Sequence, residues 1–392
     1  MYKYFLIFLV LGFVHESSAQ WVQLPSGTPN TLRSVYFTDA NTGYVVGTQD
    51  TLLTTTDGGA SWQRTYISAA FPQGIASVFF VNSNVGYISC SGGAMVKTLD
   101  AGVTWTFIQT STTKDLLSLY FISVDTGYAV GAQGAIVRTY DGGNTWQTLV
   151  SSTTETLWSV CFTGPLNGFI VGGSGTLLKT NNGTTWSSQL MNTNAPLFCV
   201  HFVDSLTGFI SGNQGKIYKT VNGGATWQSQ ISNVNTGLIS IAFIDANVGY
   251  IVGGNAVGNV ILYTSNGGAT WTTQTSPVMT SYQAIHFPDQ NVGYIVGLGG
   301  VILKLNLSLT AESPIRENSF TVFPNPANNN ITVTWATPNV NTLTLSDATG
   351  RAVCTYNVSG TQAQLSLEGL ASGVYFLSVN GEEKVVQKII KQ

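Results

Sequence analysis

The sequence predicts an all-β fold, a seven-bladed β-propeller followed by a small β-sandwich, from its composition, an internal repeat and two matching chain ends. Of the 392 residues only 8% are charged, 43% are hydrophobic and 43 residues are glycine. Such a composition is typical of proteins with many short strands and argues against general disorder. The net charge of −3, without a concentrated basic face, argues against nucleic acid as a partner.

A glycine–aromatic pair recurs along the chain and sets the repeat length. The copies are Gly43-Tyr44, Gly86-Tyr87, Gly127-Tyr128, Gly168-Phe169, Gly208-Phe209, Gly249-Tyr250 and Gly293-Tyr294. Each copy carries short apolar runs separated by Gly, Asn and Asp. Four strands in a repeat of about 40–45 residues are the unit of a propeller blade.

Tryptophan positions predict how the ring closes. The first six repeats end in Trp62, Trp105, Trp146, Trp186, Trp227 and Trp271. The seventh repeat ends without one, whereas Trp21 stands spare near the N-terminus. We therefore expect the segment after Trp21 to pair with residues 301–305 as the outer strand of the last blade, which removes a free sheet edge. The alternative, an open solenoid, would need capping repeats at both ends.

Six of the repeats end in a turn of the form Thr-x-Asp-x-Gly-x-Ser/Thr-Trp. Its acidic or amide position is held by Asp57, Asp100, Asp141, Asn182, Asn222 and Asn266. Asp and Asn side chains accept backbone N–H bonds within their own turn, so a structural role is favoured over catalysis or metal binding. The copy at Asn182 is one residue short, and we expect a distorted turn there. The acids Asp39, Asp204, Asp245 and Asp289 share another turn position and are also predicted to be turn formers.

This turn resembles the Asp box of sialidases, sortilin-type propellers and photosystem II assembly factor-like proteins, and the resemblance covers residues 21–307. It implies a box between the third and outer strands of each blade, away from the ligand face. An assembly-factor role for this chain is a weak hypothesis, because its C-terminal segment indicates export.

Residues that vary at one repeat position are the candidates for ligand binding. The start of the inner strand carries Arg33, Ala76, Leu117, Trp158, Phe198, Ile239 and Gln283. Neighbouring loops add Asp50, Lys114, Asp115, Glu155 and the longer segment 253–259. From these we select Arg33, Asp50, Asp115, Glu155, Trp158, Phe198 and Gln283 as ligand-face candidates. An apolar, aromatic surface suits protein, peptide or glycan contact, and packing of the inner rim is the alternative.

A glycosidase is the enzymatic alternative to a binding protein. It needs two facing carboxylates, which Asp50, Asp115 and Glu155 could supply. The three propeller arginines occupy different repeat positions, so we expect no arginine cluster for a substrate carboxylate. The residues His201 and His286 share an inner-strand position and are predicted to pack. We expect no catalytic residue, metal site or cofactor.

The N-terminus is predicted to be a signal peptide, residues 1–19. Lys3 precedes an apolar run over residues 5–14, and Ser17-Ser18-Ala19 supplies small residues before a cleavage site. A membrane-spanning helix needs about 20 residues, so we expect no transmembrane segment in the mature chain.

The periodicity ends after the propeller, residues 20–307. Residues 308–319 are predicted to form a linker, and residues 320–392 an immunoglobulin-like sandwich of about seven strands. The motifs Phe-Pro-Asn-Pro, Asp-x-x-Gly-Arg and Leu-x-Ser-Gly-Val-Tyr and the lysine-rich end resemble the type A C-terminal sorting domain of type IX secretion. The resemblance implies the type IX machinery as a partner, passage through periplasm and outer membrane, removal of the domain, and release or attachment at the cell surface. The ligand of the propeller is then an unknown protein or glycan.

Overall fold

The computed structural model describes residues 21–65, 74–255, 258–306, 321–334, 342–347, 351–379 and 386–392. The predicted signal peptide and linker lie outside the described residues. The chain divides into two compact units, Met1–Thr310 and Ala311–Gln392. Both are built from β-strands, so the all-β prediction is confirmed.

In the first unit each repeat forms a four-stranded antiparallel sheet, which we call a blade. The chain begins with β1 (Val22–Leu24). Blade one contains β2 (Leu32–Phe37), β3 (Gly43–Gly47), β4 (Thr51–Thr55) and β5 (Gln63–Thr65). Blade two contains β6 (Ser77–Phe80), β7 (Gly86–Ser89), β8 (Ala94–Thr98) and β9 (Thr106–Gln109). Blade three contains β10 (Leu116–Phe121), β11 (Gly127–Gly131), β12 (Ile136–Thr139) and β13 (Gln147–Leu149).

The remaining sheets repeat this order. Blade four contains β14 (Leu157–Phe162), β15 (Gly168–Gly172), β16 (Leu177–Thr180) and β17 (Ser187–Ser188). Blade five contains β18 (Leu197–Phe202), β19 (Gly208–Gly212), β20 (Ile217–Thr220) and β21 (Gln228–Gln230). Blade six contains β22 (Gly237–Phe243), β23 (Gly249–Asn255), β24 (Gly258–Thr264) and β25 (Thr272–Thr273). Blade seven contains β26 (Tyr282–His286), β27 (Val292–Gly297) and β28 (Ile302–Asn306), together with β1.

Short 3₁₀ turns join the second and third strands in five blades. They span Ser91–Gly93, Ala132–Gly134, Gly173–Gly175, Asn213–Gly215 and Leu298–Gly300. None of the described helices is long and apolar enough to span a membrane. In blade six the same connection is a longer hairpin, because β23 and β24 pair as far as Asn255 and Gly258.

The N-terminal strand closes the ring. The strand β1 pairs antiparallel with β28, with Val22 opposite Lys304 and Leu24 opposite Ile302, which confirms the predicted pairing. Each inner strand contacts the next one, and β26 of blade seven contacts β2 of blade one. Trp21 is only 1% exposed and packs with the apolar residues between blades six and seven.

The glycine–aromatic pair has a packing explanation. A Cβ atom at Gly43 would lie 2.4 Å from the ring of Phe37, so only glycine lets that ring lie across the second strand. The next residue, Tyr44, is buried and stacks on Phe80 of blade two at 4.0 Å between ring centroids. Its hydroxyl donates to the carbonyl oxygen of Ala101 at 2.7 Å. The pair therefore joins one blade to the next.

The second unit has two sheets around one core. Its strands are β29 (Thr321–Phe323), β30 (Asn330–Thr334), β31 (Thr342–Ser346), β32 (Ala352–Asn357), β33 (Gln362–Ser366), β34 (Gly373–Val379) and β35 (Val386–Lys391). The sheet orders are β29-β30-β33 and β32-β31-β34-β35, and Ile331, Leu345 and Leu377 are among the buried residues between them. In the Phe-Pro-Asn-Pro motif, Asn325 binds the backbone of the last strand, since its Nδ2 donates to the Lys388 carbonyl and its Oδ1 accepts from the Ile390 N–H.

Candidate binding surface on the bulge ring

The predicted ligand-face residues of the inner strands lie at β-bulges. In six blades the pairing of the inner and second strands skips one residue, and the skipped residues are Arg33, Leu117, Trp158, Phe198, Ile239 and Gln283. A bulge leaves one residue without a ladder partner and redirects its side chain. In blade two the inner strand begins only at Ser77, so Ala76 lies before it. We call the six residues the bulge ring.

One side of the bulge ring is apolar. Trp158 is 40% exposed and meets Phe198 edge to face, with 6.2 Å between ring centroids. Leu117 and Ile239 on the flanking blades are half-buried. Of the polar members, Gln283 donates to the carbonyl of its neighbour Tyr282, and Arg33 donates across to the Ile75 carbonyl just before blade two, each at 3.4 Å.

A cavity of about 480 Å³ lies between blades one and two. It is lined by Arg33, Thr48, Gln49, Asp50, Gly74 and Ser91. Oδ1 of Asp50 is buried and has no hydrogen-bond partner. Arg33 and Asp50, both among the described residues, form no ion pair with each other although they line the same cavity.

A second cavity, of about 840 Å³, lies between blades three and four. Lys114 and Glu155 both line it, and most of the other lining residues are Ser or Thr. Nζ of Lys114 donates to the Gln133 carbonyl at 2.8 Å. The carboxylate of Glu155 lies over Gly173, where a Cβ atom would be 2.4 Å from its Oε2.

The three carboxylates considered for hydrolysis do not meet in one cavity. Asp50 lines the first cavity, Glu155 lines the second, and Asp115 lines neither. Asp115 instead accepts the backbone N–H of Gly92 at 2.8 Å and so holds the turn of blade two.

The two propeller histidines are packed between rings. Burial lowers the pKa of both His201 and His286 to about 4, so both are neutral at pH 7. His286 stacks on Tyr36 at 4.9 Å, and His201 stacks on Phe243 at 6.0 Å. Among the described residues no group of three or more His, Cys, Asp or Glu side chains could hold a metal ion.

The box acids are engaged within their own turns. Asp57 accepts bonds from the hydroxyl of Ser61 at 2.6 Å, from its N–H at 2.9 Å and from the hydroxyl of Thr55 at 2.7 Å. These bonds, the Ser61 hydroxyl first, lower the pKa of Asp57 to about 2. In the short copy, Asn182 accepts bonds from the N–H groups of both Thr184 and Thr185. These replace the bond that Asp57 accepts from the N–H group four positions later, that of Ser61.

Sequence reasoning missed a set of cations on the third strands. Lys97, Arg138, Lys179, Lys219 and Lys304 share one repeat position, and each donates to the carbonyl of the glycine that follows the box acid of the next blade. The donor–acceptor distances run from 2.6 Å for Lys97 to 3.2 Å for Lys179. We call these the boundary hydrogen bonds. The sequence contains a signal for these cations, because they share one repeat position in a chain that has few charged residues.

A closed ring of four-stranded blades, six of which have an Asp box between the third and outer strands, defines an Asp-box β-propeller. The family model described as photosynthesis system II assembly factor YCF48 matches residues 14–113, 103–237 and 181–274, and the chain belongs to this family. The model of the secretion system C-terminal sorting domain matches residues 321–392. This domain directs type IX secretion, so the protein is exported to the cell surface or secreted.

Solved structures show the same fold. YCF48 from Cyanidioschyzon merolae is 22% identical with a TM-score of 0.63, covering 74% of this chain and 100% of that chain. A structure of YCF48 bound to D1 peptide is 23% identical with a TM-score of 0.62, covering 73% and 96%. The WD40 β-propeller domain of Doa1 is 11% identical with a TM-score of 0.61, covering 74% and 97%. At these identities the likeness concerns the fold alone. No curated protein matches the chain.

Proposed function

We propose that the propeller is a non-catalytic binding module, secreted or displayed at the cell surface, which recognises a peptide segment of a partner protein on the bulge-ring face. The observation that carries this proposal is the exposed aromatic pair Trp158 and Phe198 at adjacent bulges. Exposed aromatic side chains that gather on one surface are typical of recognition sites.

Further exposed apolar residues lie at the same end of the blades as this pair. The loops that lead into blades four, five and six carry Val150, Leu190 and Ile231, which are 79%, 84% and 77% exposed. These loops follow the outer strands, whose last residues pair with the first residues of the third strands. The loops therefore lie at the same end of the blades as the bulges. An apolar sector across three blades favours an extended ligand over a small molecule.

A relative supports the choice of a peptide. A YCF48 structure is described as bound to D1 peptide, which concerns that protein and shows that a propeller of this family can hold a peptide. The C-terminal sorting domain indicates export of this chain, which supports our proposal that an extracellular protein is the source of the peptide.

The test is a peptide display screen against the purified full chain. We expect enriched peptides to bind, and Trp158→Ala to weaken their binding about tenfold or more, as is typical when an anchoring aromatic is removed. The matched control is Leu99→Ala at the box end of blade two. Leu99 is 66% exposed, so its loss leaves the fold intact and should leave binding unchanged.

The proposal fails if no peptide is enriched, or if both variants weaken binding equally. Turnover of a polysaccharide that Glu155→Gln abolishes would instead favour the hydrolase alternative.

A further inference from the structure

Blade one departs from the repeat at a single turn position. The turn between second and third strands ends in Gly93, Gly134, Gly175, Gly215 and Gly300 in the five blades that have the short 3₁₀ turn. All five have positive φ and lie against a carbonyl oxygen of the loop leading into the next blade, where a Cβ atom would be only 1.7–2.0 Å from that oxygen. Only glycine fits such a contact.

Blade one has Asp50 at this position. Its φ of 53° is in the left-handed region, where Asp is tolerated better than most residues but less well than glycine. A side chain there is incompatible with the close contact that the five glycines make. Asp50 thus has a backbone conformation that glycine would adopt with less strain. Strained backbone positions cluster at functional sites.

One oxygen of the Asp50 carboxylate, Oδ1, is enclosed by the protein and has no hydrogen-bond partner. Since Oδ1 is not accessible from the cavity, a ligand there can bond to Asp50 only through the other oxygen, Oδ2. Arg33 lines the same cavity of about 480 Å³, and its guanidinium, which carries five donors, donates to the Ile75 carbonyl.

We propose that this cavity is a subsite for a neutral group that both donates and accepts hydrogen bonds, the side-chain carboxamide of Asn or Gln in the bound peptide. The NH₂ group of a carboxamide donates to Asp50, and its carbonyl oxygen accepts from Arg33. The lining holds one acidic and one basic side chain, so a charged ligand group would pair with one and be repelled by the other, whereas a neutral carboxamide can bond to both. This subsite rests on the proposed peptide-binding function.

The first test uses small probes on the full chain, by saturation-transfer NMR. Propionamide is compared with propionate, propylammonium and methyl glucoside on the wild type and on Asp50→Gly. We expect the propionamide signal to be the strongest of the four and to fall about tenfold in Asp50→Gly. The matched control is Gln214→Gly, which relieves a similar left-handed residue (φ 56°) in blade five and should keep the signal.

Thermal melting separates a ligand role from a structural one. Because glycine is the relaxed residue at this position, Asp50→Gly should melt about 1–3 °C higher than the wild type. A lower melting temperature would mean that Asp50 supports the fold, and the subsite proposal would be overturned. A stronger signal from propylammonium, propionate or the glucoside, or a propionamide signal unchanged in Asp50→Gly, would overturn it as well.

The second test repeats the peptide display screen with Asp50→Gly. We expect the wild type to enrich Asn or Gln at one peptide position and the variant to lose this preference. Peptides enriched without that preference would refute the subsite and leave the proposed function standing. If no peptide is enriched while propionamide binding depends on Asp50, the proposed function fails, and the cavity is a site for a carboxamide that does not belong to a peptide.

Discussion

The boundary between blades two and three differs from the boundary between blades six and seven in how it is held. At the first, Nζ of Lys97 and the hydroxyl of Tyr87 both donate to the Gly142 carbonyl, at 2.6 and 2.7 Å. At the second, the equivalent cross-strand pair is Tyr263 and Tyr250, and Trp21 packs edge to face on Tyr250 at 5.8 Å. The first boundary has charge-assisted hydrogen bonds to a glycine carbonyl in addition to ring stacking, whereas at the second Trp21 packs on Tyr250 and donates its indole N–H to Gln274 at 3.2 Å.

The position of the chain terminus explains this difference. Blade seven takes its outer strand from the N-terminus, so no turn joins its third and outer strands and it has no Asp box. Without a box there is no glycine carbonyl to accept a bond from blade six. A half-buried cation would then lack its acceptor, which is costly. A tyrosine at the cation position of blade six avoids this cost.

The largest effect should come from the closing boundary. Trp21→Ala removes a fully buried indole and should lower the free energy of unfolding of the propeller by about 3–5 kcal/mol. Urea unfolding of the full chain measures this loss. Amide hydrogen exchange should also rise in Ile302–Asn306, the strand that pairs with the N-terminal segment.

The matched control for Trp21 is its neighbour Val22. Val22 is 56% exposed, so Val22→Ala should change stability by no more than about 0.5 kcal/mol. Unchanged hydrogen exchange in Ile302–Asn306 after Trp21→Ala would show that the N-terminal segment does not hold the ring closed.

Two boundary lysines should give unequal, intermediate effects. Lys219 donates to the Gly267 carbonyl at 2.6 Å, and its cross-strand partner is Phe209, which has no hydroxyl. Lys219→Met should therefore cost about 2 kcal/mol, the range of a hydrogen bond from a charged group. Lys97→Met should cost only about 1 kcal/mol, because Tyr87 still donates to the same carbonyl.

Paired unfolding curves for the two Met variants test this difference. Equal losses would mean that the tyrosine hydroxyl does not compensate for the cation. Our interpretation predicts instead that adding Tyr87→Phe to Lys97→Met raises the loss from about 1 to about 2 kcal/mol, close to that of Lys219→Met.

Much of this architecture could be read from the sequence, because it rests on residues that repeat. The strand pairing of Val22–Leu24 followed from one missing and one spare tryptophan. The cavity between blades one and two could not be derived in the same way, because it depends on a left-handed turn and on a contact distance. Its signal was nonetheless present, since Asp50 stands where five other blades have glycine.

The smallest effect should distinguish the boxes of blades one to three from those of blades four to six at low pH. Hydrogen bonds from neighbouring hydroxyl and N–H groups lower the pKa of Asp57 and Asp141 to about 2 and also lower that of Asp100, whereas Asn182, Asn222 and Asn266 do not titrate. An unfolded Asp has a pKa of about 3.9. The unfolded chain therefore binds protons first as the pH falls, so the stabilisation from these three acids is complete above about pH 4 and is lost progressively toward pH 2.

The variant with all three acids changed to Asn should show a weaker decrease of melting temperature between pH 4 and pH 2 than the wild type, and melting at pH 6 isolates the pH-independent effect of the substitutions. Parallel curves for the two proteins between pH 4 and pH 2 would show that the charge of the box acids does not contribute to stability.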